Sequence, residues 1–211
     1  MSFIFARYKA HFKDKKFIIS FLLSLLLLLF SFFANFYAME YASAKASNAV
    51  TDVILSNIRV YNVNMFFVYG SIIFWIFISL LCAWKPQKMP FIAKNIAFFV
   101  LIRSVFISLT HIGPYPTQLV INSNILNLFT ASGDLFFSGH TGLPFLMALV
   151  FWKNLYIRWV FIASSIMFGV VVLLGHLHYS IDVLAAFFIT YTIYHLAEII
   201  FQQDKKYFDI E

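Results

Sequence analysis

The chain has 211 residues, of which 62% are hydrophobic and 11% charged, and its formal net charge at pH 7 is +6. Its mean hydropathy of +0.86 excludes an ordinary soluble domain, because such domains are about 45–50% apolar and about 25% charged. The basic residues are spread over several short segments instead of one face, so they do not indicate nucleic-acid binding. The composition predicts an integral membrane protein.

Six apolar runs approach or reach the roughly 20 residues that a membrane-spanning helix needs. They lack the alternation of a barrel strand, so helices are predicted. We expect an all-α fold, a polytopic six-transmembrane-helix bundle over residues 17–201, with cytoplasmic tails at 1–16 and 202–211. The predicted spans are 17–37, 65–84, 91–112, 136–152, 159–175 and 181–201.

The first run has a second interpretation, because the small residues of YASAKA at 41–46 resemble a secretory cleavage site. Its apolar core is longer than the roughly 7 to 15 residues typical of a signal peptide. We therefore favour an uncleaved anchor.

Basic residues predict the orientation of the bundle. Most of them lie in the two tails and in loops 85–94 and 153–158, whereas the other side has only Lys45 and Arg59. By the positive-inside rule the termini face the cytoplasm, and loops 113–135 and 176–180 face outward. Cys82 is the only cysteine, so no intramolecular disulfide is expected.

Four of the six histidines are predicted at outer helix ends: His111, His140, His176 and His178. His178 and Asp182 are spaced i, i+4 at the start of the sixth span, so their side chains share one face. A carboxylate there can hold the imidazole in one tautomer and raise its basicity. The plainer alternative is that Asp182 serves only the first-turn amides.

The run SGH at 138–140 lies where the third loop becomes the fourth span. Backbone amides and the positive dipole end of a helix can bind phosphate there, and glycine permits a close approach. Taken singly, Ser138 could be a plain N-cap and His140 an interfacial histidine. Finding SGH and HxxxD on two outer helix ends favours one shared phosphate site.

SGH followed by HxxxD resembles the second and third signature motifs of the phosphatidic acid phosphatase type 2 superfamily. The longer runs SGDLFFSGHT and HLHYSIDVLAAFFIT resemble its sphingomyelin synthase branch, over residues 103–190. The phosphatases' basic motif is absent upstream of SGH, Val172 stands where they have arginine, and His176 fits the synthase branch. Ser132 stands where the synthases usually have cysteine.

The resemblance implies a lipid phosphotransferase on the extracytoplasmic face. It would move a phospho-headgroup from a phosphodiester lipid to a lipid alcohol, ceramide or diacylglycerol, through a phosphohistidine. His178 would be the nucleophile, Asp182 its orienting partner and His140 the acid. Membrane lipids are the expected partners, and no cofactor or metal is expected. The alternative is a lipid phosphate phosphatase or phospholipase C-like hydrolase that uses the same three residues.

Charge favours a diester donor. A phosphate monoester approaches two negative charges near pH 7, and such groups are usually held by several Lys or Arg side chains. The predicted outer face is nearly devoid of them. Residues proposed to bind the phosphate or support the site are Ser138, Gly139, His176, Arg103, Asp134 and His111.

Three of these candidates have structural alternatives. Arg103 lies about 13 Å below the outer end of its span, where an unpaired charge is costly, so it faces either the site or a structural partner. Asp134 could cap the fourth helix, and His111 could be interfacial because the prolines after it end the third span.

Two other classes of protein could use the same histidines. A zinc hydrolase could use His140, His176, His178 and Asp182 as ligands. A transporter could use the outer histidines as a proton relay, but we find no internal repeat, and no polar residue near the midplane beyond Arg103.

Overall fold

The structure is a computed structural model that describes Tyr8, residues 11–121 and residues 136–210. Within these ranges the chain is helical and has no strand, which confirms the all-α prediction for this part. A short 3₁₀ turn, Pro86–Lys88, precedes α3. The helices are α1 (Lys15–Ala44), α2 (Asn64–Trp84), α3 (Met89–Leu109), α4 (Gly139–Val150), α5 (Leu155–Leu174), α6 (Ser180–Ile200) and α7 (Gln202–Phe208).

Five of these helices, α1, α2, α3, α5 and α6, are long and apolar enough to cross a membrane. The chain is thus consistent with an integral membrane protein that has several spans. The fourth predicted span differs, because α4 has only 12 residues, about 18 Å at 1.5 Å per residue. That length is less than the roughly 30 Å hydrocarbon core, and the count of six crossings stays a prediction.

Local capping explains where α4 begins. Ser138 has extended backbone angles and its side chain accepts a hydrogen bond from the Thr141 amide, which starts the helix at Gly139. Pro144 lies inside the helix and cannot donate the usual bond to the carbonyl of His140. Eight of the 12 residues of α4 are buried, so most of this helix faces protein.

The helices pack against one another in two groups. α1 packs along α3, and α4 packs between α5 and α6. At one end, Lys94 near the start of α3 pairs with Asp204 of α7 at 2.6 Å, and Ser20 of α1 joins the same pair. The predicted C-terminal tail is therefore largely a short helix packed on the bundle, with Phe208 buried beside Phe91.

The opposite end of the bundle is covered by chain between the helices. Residues 45–63 follow α1 and residues 110–121 follow α3, and both pack onto the turn at 175–179 between α5 and α6. The amide of Tyr61 donates to the carbonyl of Leu174 at 2.9 Å, and the amide of Leu119 donates to that of Gly175 at 3.0 Å. The predicted outer histidines lie at this end.

Candidate functional site

His178 and Asp182 meet at the start of α6. The Nδ1 atom of His178 lies 3.6 Å from Oδ2 of Asp182, and both side chains are buried, at 6% and 1% exposure. This distance exceeds an ordinary hydrogen bond, and it brings the carboxylate next to one nitrogen of the ring. The imidazole's other nitrogen, Nε2, lies on the far side of the ring from Nδ1.

Asp182 is held in place by the backbone. Its Oδ2 atom accepts a hydrogen bond from the amide of Tyr179 at 3.0 Å, so the carboxylate does serve the helix start as well as face His178. Its Oδ1 atom is buried and has no hydrogen-bond partner among the residues that the structure describes. A buried acceptor without a partner is costly in a stable fold, which is typical of a site where a ligand or water completes the set.

One backbone hydrogen bond joins the two motifs. The amide of Ser138 donates to the carbonyl of Asp182 at 3.1 Å, so the start of α4 and the start of α6 lie side by side. The first amides of any α-helix point out of its start, and in α4 the Ser138 side chain caps that of Thr141. An anion near them would also gain from the helix dipole.

Arg103 reaches this junction from α3. Its Nε atom donates to the carbonyl of Phe137 at 3.0 Å, and the side chain is buried. A Cβ atom placed on Gly139 would lie 3.2 Å from Nε of Arg103 and 3.4 Å from Cζ. The lack of a side chain at Gly139 thus lets the guanidinium lie directly against the first turn of α4.

The segment that Arg103 contacts has strained geometry. Phe137 has a φ of 30°, in the region that L-residues rarely adopt. The hydrogen bond from Arg103 to the Phe137 carbonyl helps to hold this turn, from which Ser138 enters α4. Arg103 therefore has a structural contact and a position beside the predicted phosphate site at the same time.

His140 lies on the face of α4 that points to α2 and α5. Its ring packs on Phe67 of α2, with centroids 4.2 Å apart, and on Phe168 of α5 at 6.0 Å. Unlike His178, it is only half-buried. Apolar walls of this kind exclude water from the part of the imidazole that they cover.

His176 lies in the turn before α6 with a φ of 52°. Its Nδ1 atom shares a hydrogen bond with the Thr117 hydroxyl at 2.6 Å, and its ring contacts Tyr115 edge-on. Burial lowers the pKa of this imidazole, although the Ile58 backbone and the charge of Asp52 act in the opposite direction. A neutral His176 can donate one hydrogen bond and accept another.

The structure adds residues that the sequence did not predict. Asp52, in the segment after α1, accepts hydrogen bonds from the amide and the hydroxyl of Ser180, at 2.7 and 2.8 Å. The Tyr179 hydroxyl donates to the carbonyl of Gly113 at 2.8 Å. Asp52 and Ser180 are 128 residues apart, and no local pattern around Asp52 signals the contact.

Two predicted site residues remain. His111 has its Nε2 atom 2.9 Å from the Ser108 carbonyl and its ring against Tyr41, so its described contacts are with the ends of α1 and α3. Asp134 lies outside the described residues. Across the ranges that the structure covers, no three His, Cys, Asp or Glu side chains are grouped closely enough to hold a metal ion.

Comparison with known protein families finds a match in the C-terminal half of the chain. A family model described as PAP2 superfamily C-terminal matches residues 132–199, a region that contains both the SGH and the HxxxD motifs. The match covers about a third of the chain, and over that part the chain is similar to the PAP2 superfamily. No curated protein and no solved structure matches the chain.

Proposed function

We propose that the protein is a membrane lipid phosphotransferase, similar to the sphingomyelin synthases, that passes a phospho-headgroup from a phosphodiester lipid to a lipid alcohol such as ceramide or diacylglycerol. The observation that carries the proposal is the junction at the start of α6. There a buried His178 faces Asp182, and the backbone of Asp182 accepts from Ser138 of the SGH motif.

His178 is the nucleophile in this proposal. In this role Nδ1 carries the proton and faces Asp182, and Nε2 attacks phosphorus. As the P–N bond forms, the bond from phosphorus to the donor's alcohol oxygen breaks. The departing alkoxide takes a proton from His140, because an alkoxide is a poor leaving group near neutral pH.

The second half-reaction restores the enzyme. The hydroxyl of the acceptor lipid returns a proton to His140 while its oxygen attacks phosphorus, and the P–N bond breaks. Negative charge on the phosphoryl oxygens is stabilised by the first-turn amides of α4 and by Arg103 beside Gly139. Protons and bonds balance, so no cofactor is required.

A hydrolase is the second candidate. The family match favours it, because similarity to the PAP2 superfamily suggests a phosphatase-like lipid phosphoesterase fold. In that case water replaces the lipid acceptor in the second step. Among the residues that the structure describes, one buried guanidinium, that of Arg103, lies at the junction. This supports the transferase instead, because one cation suits a singly charged diester better than a dianionic monoester.

The site is proposed to face away from the cytoplasm. Lys94 and Lys153 lie at the end of the bundle that holds α7, where they pair with Asp204 and Asp209. By the positive-inside rule that end is cytoplasmic. The junction of α4 and α6 lies at the other end.

The decisive experiment supplies the purified protein with a headgroup-labelled phosphodiester glycerophospholipid, with and without ceramide or diacylglycerol. Label that appears in a new lipid only when acceptor is present supports the transferase. Inorganic phosphate released from phosphatidic acid supports the phosphatase, and a water-soluble labelled headgroup phosphate supports the phospholipase C-like reaction. His178→Ala should abolish each of these, whereas His195→Ala, which removes an imidazole paired with Glu198 far along α6, should not.

A further inference from the structure

A carboxylate that lies outside the family-matched region binds the first residue of α6. Asp52 lies in the segment between α1 and α2 and is 7% exposed. Its Oδ1 atom accepts from the amides of Ile54 and Leu55, at 2.8 and 3.0 Å. Its Oδ2 atom accepts from the amide and hydroxyl of Ser180.

Four donors converge on this one side chain, and only a carboxylate can accept from all of them. An amide in its place would turn an NH₂ group toward two donors, because Asn has one acceptor atom where Asp has two. Burial raises the pKa of the Asp52 carboxyl, but the hydrogen bonds from Leu55, Ser180 and Ile54 outweigh it and hold that pKa below its usual value. Asp52 is therefore ionised near neutral pH.

Ser180 lies between the histidine and the aspartate of the HxxxD motif. It is the first residue of α6, two residues after His178 and two before Asp182. Asp182 holds the amide of Tyr179, and Asp52 holds the next amide, that of Ser180. Two carboxylates thus bind consecutive backbone amides at the positive end of the helix dipole, which is the favourable place for negative charge.

From this arrangement we propose that Asp52 is a positioning residue: it anchors the start of α6 through Ser180 and so holds His178 and Asp182 in their reactive orientation. The inference rests on the proposed function for its catalytic readout. In this proposal the segment after α1 is part of the active site, although the family match begins only at residue 132.

The kinetic test compares Asp52→Asn with Asp204→Asn, which removes a similarly buried carboxylate at the other end of the bundle. We expect Asp52→Asn to lower kcat per folded molecule about 10- to 100-fold, since displacement of a reacting group by about 1 Å has that effect. KM should change little, because ground-state binding is retained. Ser180→Thr should keep its activity. The kcat of Ser180→Ala should lie between those of Ser180→Thr and Asp52→Asn.

Imidazole signals test the positioning without any turnover. In protein labelled with ¹⁵N-histidine and placed in lipid nanodiscs, Asp52→Asn should shift the ring signals of His178, assigned through His178→Gln, and leave those of His195 in place. Asp204→Asn should leave the His178 signals unchanged. Unchanged His178 signals in Asp52→Asn, or an equal loss of kcat in both variants, would overturn the inference. Natural protein that turns over no lipid phosphoester would instead refute the proposed function, and the signals would still decide the inference.

Discussion

The amide of Ser138 donates a hydrogen bond to the carbonyl of Asp182 over 3.1 Å. This contact couples the SGH and HxxxD motifs through the backbone, independently of any side chain. Small movements of α4 against α6 therefore change the distance between His140 and His178 directly. The proposed chemistry depends on this coupling, because the nucleophile and the acid must act on opposite sides of one phosphorus atom.

Asp182→Asn tests the orienting role of the carboxylate. The amide oxygen of Asn can still accept the Tyr179 amide, so the helix start should remain and the thermal midpoint should change little. The charge that stabilises the imidazolium is lost, and in a Ser-His-Asp triad this change lowers kcat about 10⁴-fold. We expect a loss of at least about 100-fold, within the range of general acid–base effects. Activity near that of the natural protein would show that Asp182 is only a helix cap.

His140→Ala separates the acid from the nucleophile. Loss of a general acid should lower turnover of a natural lipid donor by about 10²- to 10⁴-fold. The first-turnover release of nitrophenolate from a p-nitrophenyl phosphodiester should be nearly unaffected, because nitrophenolate leaves without a proton and the step that needs His140 as a base comes afterwards. His178→Ala should lose both reactions. Equal loss on both substrates in His140→Ala would contradict its assignment as the acid.

Gly139→Ala tests the contact between Arg103 and the start of α4. The added Cβ would lie 3.2 Å from Nε of Arg103, so the guanidinium must shift by a few tenths of an ångström. We expect kcat/KM to fall up to about 10-fold, less than the roughly 100-fold loss that a 1 Å misplacement can cause. In the double variant, the losses of kcat/KM from Arg103→Lys and from Gly139→Ala should be less than additive, since both substitutions disturb one contact. Strictly additive losses would show that the two residues act separately.

His176 predicts a pH dependence of stability. Its pKa in the folded protein lies below the usual 6.5, chiefly because of burial, so the unfolded chain binds more protons near that pH. The stability that the neutral ring provides is complete above about pH 6.5 and is lost as pH falls below it. The charge of Asp52 and the Ile58 backbone act in the opposite direction and raise the pKa of His176. The Thr117 hydroxyl and the Tyr115 ring also contact the imidazole.

Thermal unfolding of His176→Gln between pH 7.5 and 5 gives the measurement. The variant should unfold at a lower temperature than the natural protein at pH 7.5, and the difference should shrink toward pH 5. Asp52 titrates lower still, since its pKa is held below 3.8, so it does not contribute in this window. A constant difference across the range would contradict a buried, neutral His176.

The helices followed from apolar runs, and most of their bounds lie within a few residues of the prediction. The fourth helix is shorter than its apolar run at both ends, because hydropathy counts residues such as Phe136, Phe151 and Trp152, whereas the helix is limited by the Ser138 cap and ends at Val150. α1 continues to Ala44 beyond the predicted 17–37, since the residues after the apolar core are good helix formers.

The HxxxD pair was predictable because an i, i+4 spacing puts two side chains on one helix face. The contacts of Asp52 with Ser180 and of Thr117 with His176 were not, because they join segments 128 and 59 residues apart that have no helical period. A loop has no periodic pattern that predicts which distant residue it will contact. The structure was needed to find these long-range contacts, whereas the proximity of His178 and Asp182 was predictable from the sequence.

The most direct measurement of the central claim is the site of covalent labelling. The protein is mixed with a donor lipid labelled in its phospho-headgroup, quenched in alkali, where phosphohistidine is stable, and analysed by peptide mass spectrometry. The account predicts the phospho-headgroup on His178, with no label in His178→Ala and normal labelling in His195→Ala. Turnover without any protein-bound phosphoryl group, or label on a residue other than His178, would contradict it.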